Sequence, residues 1–281
     1  MADESYAHIM QKVDSAYAYL KQAETLDADD VPGLSNLSSS AQSLYTQAKT
    51  DVQILLTAGV NVQEQQNLEM LVHRSNVGMV YCLDVEVGAY YSAGFANYDH
   101  ETAILNNDAR MSLEVAVERL RQTSEAYVKF ENSFVMLNAT ERRNKRMKIL
   151  SSSLCDVYRA LGNNAQKQAQ LLIMPLVNEG VNISDEQFTN ALRYLDESFD
   201  WYESVLEVYD ETAEVGAAPV PEFRAHAIVG LFSIVLNVMR FTPPEKAHLT
   251  KPHLDLYAAY FEHQGLSKTF VLYLKAIQSK N

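Results

Sequence analysis

The sequence predicts an all-α protein of eight or more helices, arranged as two pseudo-repeated helical-bundle halves. Apolar residues recur at three-and-four spacing through nearly every segment, with no convincing run of alternating period. Glycine (10) and proline (7) are scarce for 281 residues, and the many Ala, Leu, Glu and Gln residues favour helix over strand. One phrase also occurs twice: LSSSAQSLY, Leu37 to Tyr45, returns as LSSSLCDVY, Leu150 to Tyr158.

The elements follow in order. A first helix is expected from Glu4 to Leu26, with Ile9, Val13, Ala16, Tyr17 and Leu20 on one side. DADDVPG should end it, with Pro32 and Gly33 breaking the chain. A second helix is expected from Ser35 to Gly59, a glycine suited to a left-handed C-cap. Asn61 with Glu64 forms a capping box for a third, which frays through SAGFANYDH. A fourth is expected from Glu101 to Leu137, with a break near Thr123. Asn138 and Glu141 read as the next capping box. The long fifth helix should end at Gly180 and kink at Pro175. Ser184 and Gln187 cap a sixth, striped with Phe188, Leu192, Leu195, Phe199, Tyr202, Leu206 and Tyr209. GAAPVPE then interrupts the chain. The apolar stretch Ala227 to Met239, flanked or entered by Arg224, His226 and Arg240, is shorter than the ~20 residues of a membrane span and reads as a buried helix. Thr242, Pro243 and Glu245 read as a capping box for the last helices, which reach Lys280.

The repeated phrase has company. AGVNVQEQ from Ala58 returns as EGVNISDEQ from Glu179, and SAGFANYDHE and GAAPVPEF each interrupt the chain before a new helix. The second copy needs about two extra helical turns between its serines and its glycine. An ancestral duplication is therefore expected, with halves 1–123 and 124–281 packed as one continuous unit about a pseudo-twofold axis. Ser15 to Leu34 resembles the second helix and exit turn of a tetratricopeptide repeat. Val157 to Ala169 resembles the first helix of one, with Leu161 and Gly162 in the Leu-Gly place. The resemblance implies a helical array as the alternative plan, but the 34-residue spacing is not sustained.

Charge limits the function. With 47% hydrophobic and 21% charged residues and a formal net charge of −13, the chain reads as a soluble, acidic globular protein. That charge disfavours nucleic-acid binding and broad docking on anionic lipid. Cys82 and Cys155 lie in apolar helical patterns and read as buried free thiols. MADESYAHIM has no basic or apolar leader, so a cytoplasmic location is expected.

Conventional chemistry finds few residues. A di-iron bundle needs Glu-x-x-His on two helices. Only Glu245 to His248 has the spacing, near His253 and Asp255, while His73 with Glu69 and His226 with Glu222 do not complete it. There is no Gly-x-Ser-x-Gly elbow, phosphate loop or dinucleotide fingerprint. The expectation is no catalytic residue, metal or cofactor.

Two clusters remain. In VGMVYCLDVEVGAYYSAG the carboxylates Asp84 and Glu86 sit in an apolar run. Tyr81, Asp84, Gly88 and Tyr91 share one helix face; Cys82, Glu86 and Tyr90 share another. A buried carboxylate needs a partner or a shifted pKa. Arg110, Arg119, Lys167 or a cationic ligand caged by tyrosines would serve. The ligand site expected is Asp84, Glu86, Tyr90 and Tyr91. The second cluster is ERRNKRMK, with Arg142, Arg143, Lys145, Arg146 and Lys148 at a helix start, where the dipole does not favour cations. It reads as a partner-binding surface or as a match for this protein's own acids. Asp196, Asp200, Glu203, Glu207, Asp210 and Glu214 line the sixth helix as its solvent side. The leading functional expectation is a non-enzymatic scaffold that engages a protein partner. The alternative is a domain binding a small amine or amino-acid-like ligand.

Overall fold

In a computed structural model of the chain, residues 2–28, 30–96, 98–99, 101–130, 139–179 and 182–278 are described, the side chains of 2–4, 130, 139–140, 142 and 177–179 excepted. Nine α-helices and no strand occur among them: α1 Ala2–Ala23, α2 Val31–Ala58, α3 Val62–Ala96, α4 Asn107–Phe130, α5 Ala139–Glu179, α6 Asp185–Glu214, α7 Pro221–Phe241, α8 Ala247–His263 and α9 Ser267–Gln278. At 35 residues, α3 alone takes as much chain as a whole 34-residue two-helix repeat.

Two capping boxes form as read. Glu64 N donates to Asn61 Oδ1 (3.0 Å) and Asn61 N to Glu64 Oε2 (3.1 Å). Gln187 N donates to Ser184 Oγ (3.1 Å) and Ser184 N to Gln187 Oε1 (3.0 Å). Each box satisfies two of the N–H groups that a helix start leaves unpaired. At Gly59 φ is +86°, so α2 stops at a backbone angle that glycine adopts without strain.

Other boundaries differ from expectation. Pro32 and Gly33 lie in the first turn of α2, because Asp30 caps that turn by accepting from Gly33 N (3.0 Å), and proline fits where no N–H is needed. SAGFA does not fray: Gly94 is buried in α3, where a Cβ would collide with Leu113 of α4. The fourth helix starts at Asn107 instead of Glu101, with Ala109 N donating to Asn106 Oδ1 (2.7 Å). It is unbroken at Thr123, whose hydroxyl donates back to Arg119 O (2.7 Å). Thr242 makes no capping box; its hydroxyl turns back to Val238 O, and Pro244–Lys246 form a 3-10 turn. Asn138, Gly180 and Lys280 lie outside the described residues.

The chain divides into two compact units. The first comprises Met1–Asn97, Asn106–Leu154 and Val215–Ala218; the second comprises Tyr98–Leu105, Cys155–Glu214 and Pro219–Asn281. In the first, α3 packs against α1, α2 and α4. Its core holds Ile9, Val13, Ala16, Tyr45, Val52, Leu68 and Leu71. Tyr45 lies so close to Gly78 that a Cβ there would enter the ring. In the second, α6 packs on α7 and α8. Phe232 of α7 meets Phe261 of α8 (5.2 Å between centroids) and Phe270 of α9 (5.0 Å). By length and composition α7 is apolar enough to cross a membrane; Ala227, Gly230, Leu231, Phe232, Ile234, Val235 and Val238 are buried within its unit.

Candidate functional site

The carboxylates of α3 leave the helix on different sides, as their spacing dictates, and each finds an arginine within the first unit. Glu86 is 1% exposed. Ser38 of α2 donates to its Oε1 (2.8 Å), and Gln42 reaches the same oxygen at 3.4 Å. On the other oxygen, Arg119 Nε of α4 lies 2.6 Å away, but the N–H is not aimed at it, so this is a charge contact without an aligned hydrogen bond. Three helices thus converge on one buried acid. Arg119 was among the partners the sequence named. Arg110 instead pairs with Glu114 on its own helix (2.9 Å).

Asp84 pairs with Arg146 of the basic cluster. Burial pushes the Asp84 carboxyl above its ordinary range, and the Arg146 charge offsets this only in part. Arg146 also lies 5.6 Å from the centre of the Tyr127 ring. Burial, then the Asp84 charge, raises that phenol's pKa. The two clusters singled out in the sequence therefore meet. Tyr90 and Tyr91 are partly buried, and the Tyr91 ring packs on Phe95 with centroids 4.6 Å apart.

The rest of the basic cluster splits by role. Arg143 donates to Asn144 Oδ1 (3.0 Å) and to Val215 O (3.4 Å), while Asn144 Nδ2 donates to Gly216 O (3.3 Å). This pair of residues holds the turn after α6. Lys145 and Lys148 are exposed, and Ile149 beside them is 47% exposed. The Arg142 side chain lies outside the described residues.

The thiols are quiet. Cys82 and Cys155 are free and buried. Burial pushes each up to about 12, helped by the charge of Glu86 at Cys82 and of Asp156 at Cys155. Neither is a thiolate at neutral pH. Among the described residues no group of three or more His, Cys, Asp or Glu could hold a metal ion. His248 Nδ1 lies 3.1 Å from Glu245 O, and His253 pairs with Asp196 (2.8 Å).

Several polar residues escaped the sequence reading. Ser38 was noticed only as part of a repeated phrase, although it falls on the buried stripe of α2 with Ala41 and Tyr45. In the second unit, Asn163 accepts from Tyr202 Oη (2.5 Å) and donates to Tyr98 Oη (3.3 Å), while Asn164 Oδ1 accepts from Leu105 N (2.9 Å). Two asparagines inside an apolar helical run were the available signal. An open cleft of about 260 Å³ lies between α1 and α2, lined by Ser5, His8, Ile9, Ile54 and Leu55 and by the Lys12–Asp51 ion pair (2.5 Å).

Compared with known proteins, the chain matches no family model, no curated protein and no solved structure.

Proposed function

We propose that the chain is a non-enzymatic helical scaffold that engages an acidic protein partner through the start of α5. One observation carries this reading: the basic cluster is divided between anchoring and display. Arg143 and Arg146 are held by Val215 O and Asp84, while Lys145, Lys148 and Ile149 face solvent at one-turn spacing. Lys145 and Lys148 are the seventh and tenth residues of α5, beyond the turn where the dipole acts, and neither has an ion-pair partner among the described residues. The test compares the parent with Lys145→Ser/Lys148→Ser in pull-downs at low and high salt. The expected result is one acidic partner retained by the parent at low salt and lost from the variant, with equal thermal midpoints. Identical partner sets would sink the reading.

A small-molecule reading at Asp84, Glu86, Tyr90 and Tyr91 rests on a different observation. Glu86 Oε2 and Arg119 Nε touch without an aligned hydrogen bond, and buried polar atoms left so accept a better partner readily. Stabilisation by an amine or amino acid in a thermal-shift screen, lost in Glu86→Gln, would favour it over the scaffold.

An ancestral duplication, with halves 1–123 and 124–281, is supported by matched burial at a constant offset. Ala41, Tyr45, Ala48 and Val52 correspond to Leu154, Tyr158, Leu161 and Ala165, and all eight are buried. The match is incomplete: Ser38 is buried where Ser151 is partly exposed.

A further inference from the structure

The helix α9 is the most weakly embedded element of the second unit. None of its residues is buried. Phe270 and Tyr273 turn inward to Phe232, with centroids 5.0 and 5.3 Å away. The other side presents Lys268, Val271, Leu272 and Lys275, spaced to form one stripe. Val271 is 48% exposed and Leu272 65%. Neither lysine has an ion-pair partner among the described residues, and α9 contains no acidic residue in a chain that carries 36.

The complement lies on the same unit. Glu203, Glu207, Asp210 and Glu214 occupy one face of α6 and have no cationic partner among the described residues; all but the half-buried Glu203 are exposed. The carboxyl of Glu203 is held up by burial and then by its neighbours Glu207 and Asp200, so the row is not neutralised locally. Tyr260 of α8 lies beside it, with Leu256 one turn earlier on the same helix. Leu256 is 61% exposed, and half-buried Tyr260 feels the charges of Glu203, Glu207 and Asp210. An acidic row beside apolar groups has the opposite sign and the same makeup as the stripe on α9.

The geometry points to self-association: the Lys268–Val271–Leu272–Lys275 face of α9 docks on the acidic α6 face and the adjoining Leu256 of a second copy. The contact is head-to-tail, because the two surfaces differ, and it leaves one face of each kind unused in a dimer. A free acidic protein or an anionic membrane would also suit lysines. A second copy is favoured because the matching acidic and apolar surface is present on this chain.

Sedimentation equilibrium over a wide concentration range, at low and high salt, tests this. The parent is expected to associate, at least about tenfold more weakly in high salt, where exposed charges are screened. Lys268→Glu/Lys275→Glu alone and Glu207→Lys/Asp210→Lys alone should both remain monomers. Mixed together they should associate, because each restores the sign its partner needs. A parent that stays monomeric throughout overturns the proposal. So does association that survives either reversal, or that is not restored on mixing. Binding of the parent to phosphatidylserine vesicles without self-association would assign the α9 face to lipid and overturn it as well.

Discussion

The two units partner their buried polar groups differently. The first sinks a charge: Glu86 is 1% exposed and depends on Ser38, Gln42 and Arg119 from two other helices. The second sinks phenols against acceptors nearer the rim, and its buried Lys246 (5% exposed) reaches out to the exposed Asp185 (2.6 Å). Tyr257 is 1% exposed, and its hydroxyl reaches Asp196 (2.6 Å), whose side chain is 32% exposed and also meets His253. Tyr202 does likewise with Asn163. A phenol carries its own apolar bulk into a core and needs one acceptor. A carboxylate must be matched in charge and in lone pairs, or it costs several kcal/mol. Glu86 should therefore be more sensitive than Tyr257 to loss of a single partner.

The largest expected effect follows directly. Arg119→Met strands Glu86 and should cost about 3 kcal/mol in urea unfolding, toward the low end for a buried pair because Arg119 is itself about a third exposed. Adding Glu86→Gln should recover much of the loss. Equal stability of parent and Arg119→Met would remove the distinction between the two sites.

Tyr257→Phe should cost less, about 1–2 kcal/mol, since Asp196 keeps His253 and access to water. A penalty equal to that of Arg119→Met would mean the rim acid is as dependent on its partner as the buried one.

The smallest effect concerns Asp84. Its folded pKa lies above the ordinary value of 3.8, with burial the leading cause. The folded state thus binds the proton more tightly than the unfolded chain. This contribution is fully present below the unfolded pKa and is lost as pH rises through the folded one. Between about pH 3 and 6 the Asp84→Asn variant should show a more positive slope of stability against pH than the parent. Superimposable slopes would mean that burial at Asp84 has no thermodynamic weight.

Local chemistry was legible in the sequence where it is self-contained. The boxes at Asn61–Glu64 and Ser184–Gln187 close within four residues, and both form. Pro32 and Gly33 misled because the same residues serve a helix start as well as a break; Asp30, the residue that decides, was read only as part of the breaking stretch DADDVPG. At Thr242 the hydroxyl had two acceptors within reach and took the carbonyl behind it. The candidate site was half legible. Spacing separated Asp84 from Glu86, and Arg119 was one of the alternatives offered as a partner. Spacing did not join Asp84 to Arg146, 62 residues away, since helical periodicity says which face is buried but not which helix will cover it.

The two sequestered cysteines have a practical corollary. With both sulfurs protonated and out of reach, a maleimide dye or spin label added at neutral pH has nothing native to attack. One cysteine introduced on the solvent side of α5 or α9 would be a unique attachment point, so spectroscopic probes can be placed at either proposed face without first removing residues from the core.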